Sequence, residues 1–285
     1  MRKIILALAV LVILFSLFIL SCSNTQSSDG ATGGATFGEE ITIGAILPLS
    51  GPAAVWGESI MNGMEIAREE LEREGTKVKF IYEDSKVDPA TGVSAYHNLI
   101  NNRDVDVIFS AFSRVSIPLV PLAEENKVPL VMTMVAEKDV TKESDQSFRF
   151  YLNVNQYALP HIENMDVDKY REIAVLSIND EYGKDVSSVL INRAMERGIN
   201  VVSHEEFSPG STDFRTQLTK IKSKSPKVIL VISAVPPELI NAVKQIKELN
   251  INTEIMEASL NLCVEGVRKS LGELAEGVKT LCIPF

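Results

Sequence analysis

The residues able to do chemistry are few in this chain and form no catalytic set. The three histidines, His97, His161 and His204, stand far apart with no neighbour at metal-ligand spacing, so each reads as a surface or packing residue and no metal site is expected. No apolar run is followed by GxGxxG, and GxxxxGKS/T, GxSxG and HExxH are missing. No catalytic residue, no cofactor and no enzymatic activity is therefore assigned. What remains is binding chemistry. Polar and aromatic residues gather in five short segments that follow apolar runs: PLSGPAAVWGES (48–59), SAFSRVS (110–116), TMVAEKD (133–139), NDEYGKD (179–185) and AVPPE (234–238). Ligands of open α/β sheets lie in the crevice beyond the carboxyl ends of the strands, so these loops are where a ligand would be held.

The elements that must carry those loops are legible in the apolar spacing. ITIGAIL (41–47), an amphipathic stretch (58–73) and VKFIYED (78–84) read as strand, helix, strand. The beat continues with a helix near 89–101, VDVIFSAF (105–112), a helix near 117–125 and VPLVMT (128–133). After FRFYLNV (148–154) it restarts with EIAVLSI (172–178), a helix at 184–197, INVVSHEEF (199–207) and a helix at 213–223. KVILVIS (227–233), a helix at 237–249, TEIME (253–257) and GVKTLCI (277–283) complete it. The strands are continuous apolar runs without in-out alternation, the pattern of parallel sheets covered on both faces. The expected class is α/β, with two doubly wound parallel-sheet lobes in series.

A chain of 285 residues with 45% hydrophobic and 23% charged residues has the balance of a folded protein long enough for one large or two modest domains. Its formal net charge of −10 repels phosphate backbones, so nucleic acid is excluded as a partner. The N-terminus is different. Arg2 and Lys3 precede an apolar run (4–20) that ends in Ser21 and Cys22, which reads as a lipoprotein signal peptide (1–21) with Cys22 as the lipidated residue, although Leu20 is bulkier than usual there. An uncleaved anchor helix is the alternative, with the same consequence of a tethered extracytoplasmic domain. The soft stretch 22–38 reads as a flexible linker. Cys263 and Cys282 then make one pair at most, and spacing alone leaves open whether they bond.

Several segments taken together, ITIGAILPLSGPAAVWGESIMNGMEIAREEL, EDSKVDPATGV, YGKD and SPGSTDFRTQLTKIK, closely resemble the leucine/isoleucine/valine-binding family of bacterial solute-binding proteins, in the same order and at similar spacing. The resemblance implies a type I periplasmic binding protein fold: two lobes joined by hinge strands, here residues 39–150 plus 262–285 and residues 151–261, closing on a small-molecule ligand that is delivered to an ABC permease. A ligand-sensing receptor domain of the same fold is the alternative. By the same resemblance, Ser113 stands where the family serine binds a ligand carboxylate, Trp56 where an aromatic side chain lines the pocket, and Tyr182 where a second-lobe tyrosine covers the ligand. Plain structural roles compete: Ser113 or Ser116 as a cap of the helix entering at Pro118, Trp56 as a rim or packing residue, and Tyr182 as a helix-entry packing residue.

The chain also departs from that pattern. The family's second carboxylate-binding hydroxyl aligns with Ala136, which has none. The acidic residue that receives the ligand ammonium aligns with Ser259, with Glu257 two positions away, and another second-lobe tyrosine aligns with Val235 or Pro236. Burying an ammonium without a partner costs several kcal/mol, so a carboxylate or amide ligand lacking the amine is expected. Family members usually continue past the strand matching GVKTLCI. Without those segments apolar sheet surface would be left uncovered, and marginal stability or dimerisation is the expected result.

Overall fold

The described residues of the computed structural model are 40–282. The expected signal peptide, Cys22 and the linker lie outside them, as do the last three residues. The first lobe starts with β1 (Ile41–Leu47), a 3-10 turn (Gly51–Ala53), α1 (Ala54–Arg73), β2 (Val78–Asp84) and α2 (Pro89–Arg103). It continues with β3 (Val107–Ala111), α3 (Ser113–Ser116), a 3-10 turn (Ile117–Leu119), α4 (Val120–Asn126), β4 (Leu130–Thr133) and β5 (Ser147–Arg149). The second lobe contains α5 (Val154–Glu163), β6 (Glu172–Ile178), α6 (Glu181–Glu196), β7 (Asn200–Phe207) and α7 (Arg215–Ser223). β8 (Val228–Ile232), α8 (Pro236–Glu248), β9 (Glu254–Glu257), α9 (Glu265–Leu271) and β10 (Val278–Thr280) complete it.

Each lobe is built on a five-stranded sheet, ordered β2-β1-β3-β4-β5 in the first and β7-β6-β8-β9-β10 in the second, with every pairing parallel. This is one strand order used twice, and in each case the winding reverses beside the first strand of the lobe, between β1 and β3 and between β6 and β8. The continuous apolar runs have a direct cause. Along β6 and β8, Ala174, Leu176, Ile229 and Val231 fill the core on one face, while Ile173, Val175, Leu230 and Ile232 fill the core on the other. Helix starts follow local chemistry. Asp88 accepts the Thr91 N–H ahead of Pro89, and Asn153 and Gln156 form a capping box at α5. Pro52 in the turn before α1 lets that helix begin at Ala54, earlier than its apolar spacing indicates.

One boundary is corrected. Residues 262–282 belong to the second lobe and not to the first, because β10 pairs in parallel with β9, Val278 opposite Ile255, and Val278 packs on the second-lobe core. A disulfide between Cys263 and Cys282 fastens this strand to the turn after β9. Within the described residues the chain passes between the lobes once, at 150–153, a non-strand segment flanked by two hydrogen bonds, from the Phe150 N–H to the Met132 carbonyl and from the Val154 N–H to the Ala136 carbonyl. Among the described residues no helix is long and apolar enough to cross a membrane.

Candidate functional site

The carboxyl ends of both sheets face one cavity lined by residues of both lobes. α3 packs against α6 and α8 meets the Gly51–Ala53 turn, so the lobes touch across it. The same local device opens each lobe's wall. Gly57 follows Trp56, and a Cβ there would lie 2.1 Å from the Pro48 carbonyl oxygen; Gly183 follows Tyr182, and a Cβ there would lie 1.8 Å from the Ile178 oxygen. Only glycine lets each helix sit this close to its strand end, with the preceding aromatic residue at the cavity wall.

Past β3 the backbone is strained. Phe112 has φ 72 and Met134, past β4, has φ 54, conformations that bulky residues rarely adopt, and both line the cavity. The turn at Phe112 delivers Ser113 and Arg114 to the cavity. The Ser113 hydroxyl donates to Glu137 Oε2 at 2.8 Å, so its proton is already committed inside the first lobe. Burial pushes the Glu137 carboxyl above its ordinary pKa. Arg114 supplies a cation: its Nε lies 3.8 Å from Asp180 Oδ2, beyond hydrogen-bond reach, in the one ion pair that joins the two lobes among the described residues. Asp180 is the N-cap of α6, accepting the Gly183 N–H on Oδ1 at 2.9 Å, and burial raises its pKa against the opposing pull of that bond and of Arg114.

The second lobe contributes an aromatic wall and a polar floor. Tyr157 donates to the Ala258 carbonyl at 2.9 Å, and its oxygen lies 2.5 Å from that of Tyr182, which therefore donates to it. Tyr151 completes the wall, its phenol pushed up to about 12 by burial. On the floor, Asn261 Nδ2 donates to the Ser233 carbonyl at 3.2 Å, an acceptor-only group that fixes the amide orientation. Ser259 donates to Glu257 Oε1. Glu238 accepts the N–H groups of Ala234 and Val235 and so holds the loop after β8.

Of the residues expected at the site, Trp56, Ser113, Tyr182 and Ser259 line the cavity together. Two expectations are corrected. Ala136 is 2% exposed, packed in the second-lobe core with Val154 and Ala158, and does not line the cavity. Glu257 is fully buried beneath the floor, where Ser259 Oγ, Thr280 Oγ1 and the N–H groups of Asn261 and Leu262 all donate to it; it braces the loop and does not reach the ligand space. Arg114, Asp180, Asn261, Tyr151 and Tyr157 were not singled out from the sequence. An aspartate three residues before Gly183, at the end of an apolar run, carried a helix-cap signal. Nothing local marked Asn261.

A family model described as periplasmic binding protein matches residues 40–281. The Leu/Ile/Val-binding protein homolog 3 of Brucella melitensis is 29% identical over 199 residues, which cover 67% of this chain and 53% of that protein, so the chain spans about half the length of this relative. A leucine binding protein from Thermotoga maritima superposes with a TM-score of 0.73 at 24% identity, covering 84% of this chain and 68% of that one. A solute binding protein of an ABC transporter from Rhodopseudomonas palustris, solved in complex with 4-hydroxybenzoate, gives 0.76 at 22% identity, covering 82% and 65%. At these identities the structural likeness speaks to the fold.

Proposed function

We propose, from the premise that this chain belongs to the periplasmic binding protein family, that it is the extracytoplasmic solute-binding component of an ABC importer and grips a small carboxylate between its lobes. The observation that carries the reading is a cavity at the strand ends of two matched sheets, lined from both sides and crossed by the ion pair of Arg114 and Asp180. The ligand's carboxylate pairs with Arg114, and its apolar or aromatic body rests against Phe112, Tyr151, Tyr157 and Tyr182. The protein does no covalent chemistry in this reading. It is tethered by a lipid on Cys22, as the order Arg2-Lys3, apolar run, Ser21-Cys22 supports, and its partner is the permease that receives the closed form.

Closure by differential contact has a plausible size. Shifting an open-to-closed ratio from 1:99 to 99:1 takes about 5.5 kcal/mol of preferential binding. Half of an aromatic ligand's surface, roughly 100 Å², laid on the second-lobe tyrosines supplies about 2.5 kcal/mol, and a charge-assisted hydrogen bond adds about 1.5 to 3. Together these come to about 4 to 5.5 kcal/mol, and the part made only in the closed form is what shifts the lobes toward closure. The test is native mass spectrometry of the purified protein to identify retained cargo, followed by solution scattering with and without it. A retained carboxylate whose return to the stripped protein lowers the radius of gyration is expected. An unchanged radius, or a cargo released chemically altered, would sink the proposal.

A further inference from the structure

Ser113 and Glu137 form a pair of which only one member reaches the ligand space. Ser113, 3% exposed, lines the cavity; Glu137, 8% exposed, lies behind it and does not. The Ser113 hydroxyl donates to Glu137 Oε2 at 2.8 Å, while Glu137 Oε1 is sealed from solvent without a hydrogen-bond partner. Among the described residues no cation forms an ion pair with this carboxyl. Arg149 on β5 donates to the Glu137 backbone carbonyl, Arg114 on α3 pairs with Asp180, and Lys138 and Lys142 in the same loop stay apart from it. The remaining charges around it are acidic, Asp180 and Asp185 on α6 and Asp139 and Glu143 in its own loop. Burial pushes the Glu137 carboxyl above the ordinary range, the Ser113 bond draws it down, and Asp185 and Asp180 raise it again. A buried carboxylate with one donor and no cation is costly, and a proton relieves that cost.

A serine hydroxyl has one proton to give, and an ionised Glu137 holds it away from the cavity. We infer that Glu137 is a positioning residue that couples ligand binding to the uptake of one proton from solvent: once protonated it donates to Ser113 Oγ, and the Ser113 hydroxyl turns to donate to an acceptor group of the ligand. No bond other than O–H is made or broken. The inference rests on the solute-binding reading above and adds the proton to it. Because the ligand favours the protonated form, affinity is greatest below the raised pKa of Glu137 and falls as pH rises above it, by up to about tenfold per pH unit.

Calorimetry with 4-hydroxybenzoate and with leucine tests it between about pH 6 and about pH 8, where both keep their carboxylates ionised. Runs at one pH in phosphate and in Tris, whose heats of ionisation differ, count the protons taken up. The native protein is expected to bind at least one of the two with uptake of up to about one proton per molecule, and more weakly as pH rises. Glu137→Gln, whose amide donates to Ser113 Oγ at every pH, is expected to bind without uptake and with a flat pH profile. In Ser113→Ala the loss of affinity should be largest at the lowest pH, where the native hydroxyl is free. Binding by the native protein with no uptake and no pH dependence would overturn the inference and leave the solute-binding reading intact. Uptake that persists in Glu137→Gln would overturn the role of Glu137. No binding by either acid at any pH would overturn the carboxylate reading itself, and the inference with it.

Discussion

The two lobes share a strand order and a wall device, an aromatic residue followed by glycine, yet they are filled differently. In the first lobe, α1 runs for 20 residues and fully buries only Gly57 of them; in the second, α6 runs for 16 and buries Gly183, Val186, Ser187, Leu190 and Ala194. The first lobe leaves Ile66 on α1 and Phe148 and Phe150 near β5 exposed, whereas β8 in the second lobe is buried along its whole length. The first lobe carries strained backbone at the cavity, at Phe112 and Met134, and the second binds its terminal strand with a disulfide. A common topology therefore sets where the cavity lies, while packing decides which lobe is the better filled.

The largest expected break in the comparison is removal of the disulfide. Replacing Cys263 and Cys282 together by serine opens a loop of sequence separation 19 and should cost about 3 kcal/mol of stability. Hydrogen exchange should place the loss in β9 and β10 while β1 and β3 keep their protection; equal loosening of both lobes would contradict the assignment of β10 to the second.

The glycine pair comes next. Gly183→Ala and Gly57→Ala each drive a methyl group into a backbone carbonyl and should each cost about 2 to 3 kcal/mol, read from urea midpoints. Gly183→Ala should cost the more, because the methyl also meets Ile178 Cγ2 at 2.8 Å in a better-filled lobe. A neutral substitution at either position would show that the close helix approach is not needed.

A smaller effect separates the neighbours in the first lobe. Arg114→Gln should weaken carboxylate binding by about 2 kcal/mol, measured by calorimetry. Ser113→Ala should weaken it less, since that hydroxyl already serves Glu137. The reverse ranking would return Ser113 to the role that family resemblance implies.

The smallest effect lies on the second-lobe surface, where Lys169 and Lys279 hold the Glu254 carboxyl at a pKa of about 2. A carboxyl depressed in the folded state stabilises it above the ordinary carboxylate pKa, and that contribution fades as pH falls from about 4.5 towards 2. The gap in melting temperature between the native protein and Glu254→Gln should therefore shrink on acidification, and a pH-independent gap would remove the ion pairs as its cause.

Much of the fold was legible because parallel strands covered on both faces need unbroken apolar runs, and EIAVLSI and KVILVIS advertise this directly. The loops after β1, β3 and β6 were likewise legible, and Trp56, Ser113 and Tyr182 on them line the cavity. The rest depended on partners far along the chain. Glu257 looked available for a ligand until Thr280 and the turn at Asn261 enclosed it, and Ala136 took a core position once α5 packed beside it.

The sequence by itself determined the alternation of strand and helix, the two matched lobes and the segments that end at the cleft, since each follows from local periodicity and turn chemistry. Only the tertiary structure decided that β10 joins the second sheet, that Arg114 meets Asp180 across the lobes and that Asn261 reaches the cavity beside Ser259. Those are contacts between residues distant in the chain, and a hydrogen bond's direction is set by all of its neighbours at once.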